Sequence, residues 1–360
     1  MTPVPTWPIV GHASAVRLLQ RSLADGHLAH AYLLVGPPNV GKTTLGLTFA
    51  QALLCEDEAA RSQGVACGRC VGCRKVRERT HPDLRVVEPD GGSGDDNGAV
   101  VGESGDVAGA ARSKRKAASR VQIKIDTVRD IQRDLSLRPY QGVRRVVLLP
   151  QADTLNDAAE NALLKTLEEP PPYALLILTA EDAETLLPTT VSRCQQVPLN
   201  PVPAPAIAEA LVALGQPPDE AARLARLSGG RVGWALQAAR DTNLLAKRVA
   251  HLDGLARVLK APRAERLALA EEMAKKPDAL PDLLLLWQGW WRDALLTQVG
   301  CGEWVTNIDQ QAWLDQAAGR RSLETLAQAL RATRQTADEL ERNANPRLAL
   351  EVLFLSWPES

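Results

Sequence analysis

The nine residues GPPNVGKTT, Gly36 to Thr44, carry the clearest chemical signal in the chain. Gly36-Pro37-Pro38-Asn39-Val40-Gly41-Lys42-Thr43 satisfies the spacing G-x-x-x-x-G-K-[ST] of a phosphate-cradling loop. Its glycines let backbone N–H groups face the phosphates of ATP. Lys42 reaches the outer two phosphates, Thr43 offers its hydroxyl to Mg²⁺, and the helix that follows presents its positive end. Gly36, Pro37, Asn39, Val40, Gly41, Lys42, Thr43 and Thr44 are therefore the candidate nucleotide contacts. The alternative is a loop that keeps this shape without a ligand.

A second constellation follows at once. Cys55-x11-Cys67-x2-Cys70-x2-Cys73 supplies four thiolates, enough for a closed tetrahedral zinc site, with Gly68 and Gly72 permitting tight turns between ligands. Four protein ligands leave no open position, so such a zinc is structural and contributes folding energy rather than catalysis. Four unrelated thiols are the bland alternative, and His81 is a substitute ligand or an ordinary loop residue before Pro82.

Hydrolysis needs more than a phosphate loop. A P-loop motor holds Mg²⁺ with an Asp after the apolar strand and positions water with the next acidic residue. After the run RRVVLL those places hold Pro150 and Gln151. Proline offers no ligand, glutamine takes no proton, and losing a general base alone costs about 10²–10⁴ in rate. Asp153 lies beyond the strand end and is expected to point elsewhere.

The elements that must position these residues alternate. HAYLLV (30–35), DLRVVEP (83–89), RRVVLLP (144–150) and YALLILTA (173–180) read as strands, the last two as buried ones. KTTLGLTFAQALL (42–54) has helical spacing at Leu45, Phe49, Ala52 and Leu53, and residues 121–137 begin with alternation and continue as helix through Val128, Ile131 and Leu135. Asp157 with Glu160 resembles a capping box, opening a helix that Pro170-Pro171-Pro172 must end. The expected fold class is α/β, a parallel sheet covered on both faces.

Residues 90–120, rich in Gly, Ala and Ser, cannot bury enough surface to order themselves and read as a disordered insertion, with a basic end at 112–120 that is a solvated tail or a contact to DNA phosphates. NPVPAPA (200–206) is a boundary, beyond which nearly everything is helical. The expected domains are a P-loop domain at 1–200 containing the 55–73 zinc module, a small helical lid at 201–242 and an all-helical domain at 243–360. Six of the eight tryptophans fall in that last part, at spacings that suit core or subunit contact better than base stacking.

A formal net charge of −1 gives no global attraction to nucleic acid or to anionic membrane. No apolar run approaches the roughly 20 residues of a membrane span, and the amino terminus lacks a signal-peptide pattern. A cytoplasmic protein is expected.

Together, HAYLLVGPPNVGKTT, the four-cysteine module, NALLKTLEEPPP (161–172), TTVSRCQ (189–195) and NPRLALE (345–351) closely resemble bacterial DNA polymerase III clamp-loader subunits of the AAA+ class. The resemblance spans the chain except for 90–120. It implies a P-loop domain, a lid and a helical collar, within a five-membered ring that opens the sliding clamp and places it on primed DNA. Pro150-Gln151 resembles the delta-prime version, which lacks the acidic pair; the alternative is an ATP-hydrolysing gamma/tau-type motor. The resemblance further implies that Arg193 of Ser192-Arg193-Cys194 is an arginine finger acting in trans on a neighbour's ATP. It places Thr179 and Arg231 at the family's two nucleotide-sensing positions, and gamma/tau and delta types as neighbours.

Overall fold

The computed structural model describes residues 7–87 and 123–358, so the insertion at 90–120 and its basic end lie outside the described residues. The chain divides into two compact units, Met1–Pro201 and Val202–Ser360.

The first unit runs α1 (Ala13–Ala24), β1 (Ala31–Val35), α2 (Lys42–Leu53), α3 (Glu58–Ser62), α4 (Val71–Arg77), β2 (Leu84–Val86), α5 (Ile125–Ser136), β3 (Arg145–Leu149), α6 (Asp157–Glu168), β4 (Ala174–Ala180), α7 (Pro188–Ser192) and β5 (Gln195–Pro198). The described strands form one parallel sheet in the order β2-β3-β4-β1-β5. Successive side chains of a strand point to opposite faces, and along β1, β3 and β4 both faces are dry. Tyr32 and Leu34 join Leu148 and Ile177 against Leu45 and Phe49 of α2, while Ala31 and Leu33 join Val147, Leu149 and Leu176 against α5 and α6. That is why β1, β3 and β4 are continuous apolar runs. The order inserts β4 between β1 and β3, so the loop after β1, the end of β4 and the end of β3 lie side by side.

The expected cap of α6 needs correction. Asn156, with extended backbone, is the N-cap and its side chain accepts from Ala159 N at 2.8 Å, so Asp157 is the first helical residue. Glu160 does not reach back to close a box. It is buried, and its Oε1 accepts from Leu187 N at 2.7 Å, at the start of α7. The helix ends at Glu168, before Pro170 as expected. Ile123 makes an isolated parallel bridge to Leu155 before α5 begins.

Asp83 sits at the foot of β2, fully buried, and accepts from the backbone N–H groups of Tyr140 (2.6 Å), Gln141 (2.7 Å) and Gly142 (2.8 Å). Burial pushes its pKa up, but the three donors and nearby His81 outweigh that and hold it below the usual carboxylate value. A carboxylate depressed in the folded state contributes stability above its unfolded pKa and loses it as pH falls through the folded one. Asp83→Asn turns a donor towards donors and is expected to cost about 2–4 kcal/mol at pH 7, read as a lower urea midpoint. The deficit should shrink as the wild type is acidified below about pH 4; an equal deficit at every pH would contradict this account.

The second unit contains α8 (Ala204–Ala213), α9 (Pro218–Leu227), α10 (Val232–Ala238), α11 (Thr242–Lys260), α12 (Arg263–Ala274), α13 (Leu280–Gln298), α14 (Gln311–Arg320), α15 (Leu323–Glu341) and α16 (Pro346–Ser356). Its core is built on Trp287, Trp290 and Trp291 of α13, with Trp287 and Trp291 edge-on to Trp357. These indoles are packing groups, and Trp304 alone among the six is well exposed. Buried Arg266 gives N–H bonds to the carbonyls of Phe354, Trp357 and Pro358, tying the end of α16 to α12. Among the described residues no helix is long and apolar enough to cross a membrane.

Candidate functional site

The phosphate loop hangs between two strand ends. Gly36 N donates to Ala180 O at 3.2 Å and Leu199 N donates to Val35 O at 2.7 Å, which fixes the exit from β1. Gly41 caps α2 with φ 111°, a conformation that side chains rarely tolerate. Lys42 opens the helix and its Nζ donates to Gly36 O at 2.5 Å and Pro37 O at 2.9 Å, curling over its own loop. Burial lowers its pKa, opposed by Glu181 and Asp153. Thr43 and Thr44 occupy the first turn of α2. His12, which no motif in the sequence marks, reaches Val40 O with Nε2 at 3.0 Å and ties the loop to the segment before α1. Only a contact 28 residues away reveals it.

Beside the loop, Thr179 is buried near the end of β4 and its Oγ1 accepts from Gln151 N at 3.0 Å. Gln151 adopts a left-handed backbone, φ 53°, so the chain turns sharply after Pro150. No carboxylate stands at Pro150 or Gln151. Asp153 lies in the short 3₁₀ turn Ala152–Thr154, and its Oδ1 is buried without a hydrogen-bond partner among the described residues.

Arg193 caps the carboxyl end of α7. Its Nη1 donates to Thr189 O at 3.0 Å and its Nη2 to Glu168 Oε1 at 2.8 Å, and both side chains of the ion pair remain substantially exposed. Cys194 next to it is pushed up to about 12 by burial, an unreactive thiol. In the second unit, Arg231 gives Nε–H to Ser228 O at 2.9 Å and lies over the Trp234 ring at 5.9 Å. Burial lowers its pKa, opposed by Asp282 and reinforced by Arg248.

Cys55, Cys67, Cys70 and Cys73 converge, with their sulfurs all within 4.8 Å of one another. Cys55 Sγ lies 4.0 Å from Cys70 Sγ and Cys67 Sγ lies 3.9 Å from Cys73 Sγ. A metal bound to four sulfurs at about 2.3 Å in a tetrahedron spaces them by about 3.8 Å, so the four can hold one ion. Backbone N–H groups of Cys67, Cys70 and Cys73 each point at a sulfur at 3.3 Å, ready to support thiolates. Burial raises Cys55 and Cys73. For Cys67 burial also acts upward, but N–H donors of Arg69 and Cys70 and the neighbouring thiols bring it down to about 7. Gly72 is required by packing, since a Cβ there would lie 2.6 Å from Leu54 O. His81 is not a ligand: its Nδ1 accepts from Asp83 N at 3.1 Å, and it lies outside the sulfur cluster.

A phosphate loop on a parallel sheet with β4 between β1 and β3, followed by a helical region, defines an α/β P-loop protein. The family described as "DNA polymerase III, delta subunit" matches residues 11–203, and that described as "DNA polymerase III, delta subunit, C terminal" matches residues 242–359. "DNA polymerase III subunit delta'" of Pseudomonas aeruginosa is 32% identical over 91% of this chain and 92% of its own length. That of Bacillus subtilis is 25% identical over 96% of this chain and 95% of its own. "DNA polymerase III subunit tau" of Escherichia coli is 30% identical, but over 53% of this chain and 25% of its own length. The chain belongs to the delta-prime family of DNA polymerase III clamp-loader subunits.

Proposed function

We propose that this subunit completes a neighbour's ATP site with Arg193 and does not hydrolyse ATP itself, within a ring of gamma/tau and delta types that loads the sliding clamp onto primed DNA. The observation that carries this is the end of β3, where Pro150 and Gln151 stand in place of an acidic pair and Gln151 commits its N–H to Thr179. The loop from Gly36 to Thr44 then grips ATP and Mg²⁺ without cleaving the nucleotide, with Thr179 and Arg231 in the sensing roles. The four cysteines hold a structural zinc, and α11 to α16 serve as the collar.

One observation favours the alternative of a gamma/tau-type motor: Asp153 and Glu181 bring carboxylate charge to Lys42. Steady-state ATP turnover separates the two. The isolated chain is expected to show no appreciable turnover, and Lys42→Ala to have a modest effect on an assembled ring. Robust turnover by the isolated chain that vanishes in Lys42→Ala would decide for the motor.

A further inference from the structure

Both terminal nitrogens of Arg193 are engaged within its own chain, Nη1 with Thr189 O and Nη2 with Glu168 Oε1. Helix α6 grips α7 at both ends, since Glu160 takes the Leu187 N–H at the start of α7 and Glu168 takes the guanidinium at its end. The two carboxylates differ in kind. Glu160 is 5% exposed, whereas the Glu168 side chain is 52% exposed and that of Arg193 35%. The first is a fixed mount; the second holds a pair in contact with water, weak enough to exchange. A guanidinium that forks onto phosphate oxygens uses the same N–H groups that bind a carboxylate. Phosphate and Glu168 therefore compete for Nη2.

We infer that Glu168 is a positioning residue, a latch that keeps the Arg193 guanidinium on its own chain until a triphosphate on the adjoining subunit takes it. This rests on the reading of Arg193 as an arginine finger. Because Arg193 must leave Glu168 to act, removing the acid accelerates the neighbour's reaction, the opposite of what loss of a merely structural contact would do.

The test is single-turnover ATP hydrolysis in a ring assembled from the full chain and hydrolysis-competent neighbours. Glu168→Gln, and equally Glu168→Ser, are expected to raise the rate at the adjoining site roughly two- to fivefold. The variant-to-wild-type ratio should fall towards one as ionic strength rises and screens the exposed pair. In an Arg193→Ala background the same substitutions should change nothing. If Arg193→Ala itself leaves turnover at the adjoining site intact, the finger reading fails. If Arg193→Ala stops turnover at that site while both Glu168 variants leave it unchanged or slower, the finger stands and the latch is overturned.

Discussion

Arg193→Ala is expected to reduce ATP hydrolysis at the one ring site that this chain adjoins by about 10³–10⁵-fold, the range over which arginine fingers act in related nucleotide-hydrolysing proteins. The size follows from where the charge goes. In the transition state negative charge spreads over the phosphoryl oxygens, and a preorganised cation in a water-poor site stabilises it far more than in bulk water. The same substitution should hardly touch the fold. Arg193 is tied to Glu168 by an exposed ion pair and to Thr189 O by one hydrogen bond, so its loss is worth at most about 1 kcal/mol. Arg193→Lys keeps the charge without the planar fork and should recover only part of the rate. The measurement is single-turnover hydrolysis in the assembled ring, alongside thermal melting of the chain and a check of ring assembly by sedimentation. A ring that assembles normally and whose adjoining site alone, with the other sites inactivated, turns over within threefold of wild type would sink the assignment.

What the sequence made legible depended on how locally each feature is determined. β1, β3 and β4 are buried on both faces, so each is an unbroken apolar run, and the phosphate loop follows from a contiguous spacing. β5 left no trace because in QQVP only Val197 is buried, and neither alternation nor an apolar run results. Helix α1 buries Ala15, Leu19 and Leu23 at helical spacing, a pattern that is present in the sequence. The spacing marks Glu160 as an acceptor near a helix start, yet its partner is Leu187, 27 residues on, which no local rule supplies. The left-handed turn at Gln151, its N–H held by Thr179 on another strand, is likewise beyond a strand-end argument. The Arg193–Glu168 pair, 25 residues apart, depends on how α6 packs against α7. The four cysteines were legible because Cys67, Cys70 and Cys73 recur at two-residue intervals, with Cys55 a short way before them in the chain.

Stripping the metal from the four-cysteine module should produce the second large effect, and its location can be stated in advance. Cys55 ends the chain path out of α2, Cys70 caps α4, and Cys73 lies within α4, its carbonyl receiving Gln51 Nε2 of α2 at 2.9 Å. One ion at the centre of the four sulfurs would tie the end of α2 to α4 and to the loop between α3 and α4 that carries Cys67. Without it, buried Cys55 and Cys73 resist ionisation, so the metal must displace protons to bind, and its affinity falls as pH falls. Freshly purified protein is expected to carry about one zinc per chain. Cys73→Ser, or a strong chelator, should lower the stability of the first unit by several kcal/mol, below the roughly 10–16 kcal/mol of isolated zinc-finger peptides because the sheet holds without the metal. Hydrogen exchange should rise first in residues 55–80, while the amides of α13 and α16 stay protected. Cys194→Ser, outside the cluster, serves as the control and should leave the metal content unchanged. Less than about half an equivalent of zinc, or a Cys73→Ser chain that melts with the wild type, would show that the four thiols stand together without a metal to hold.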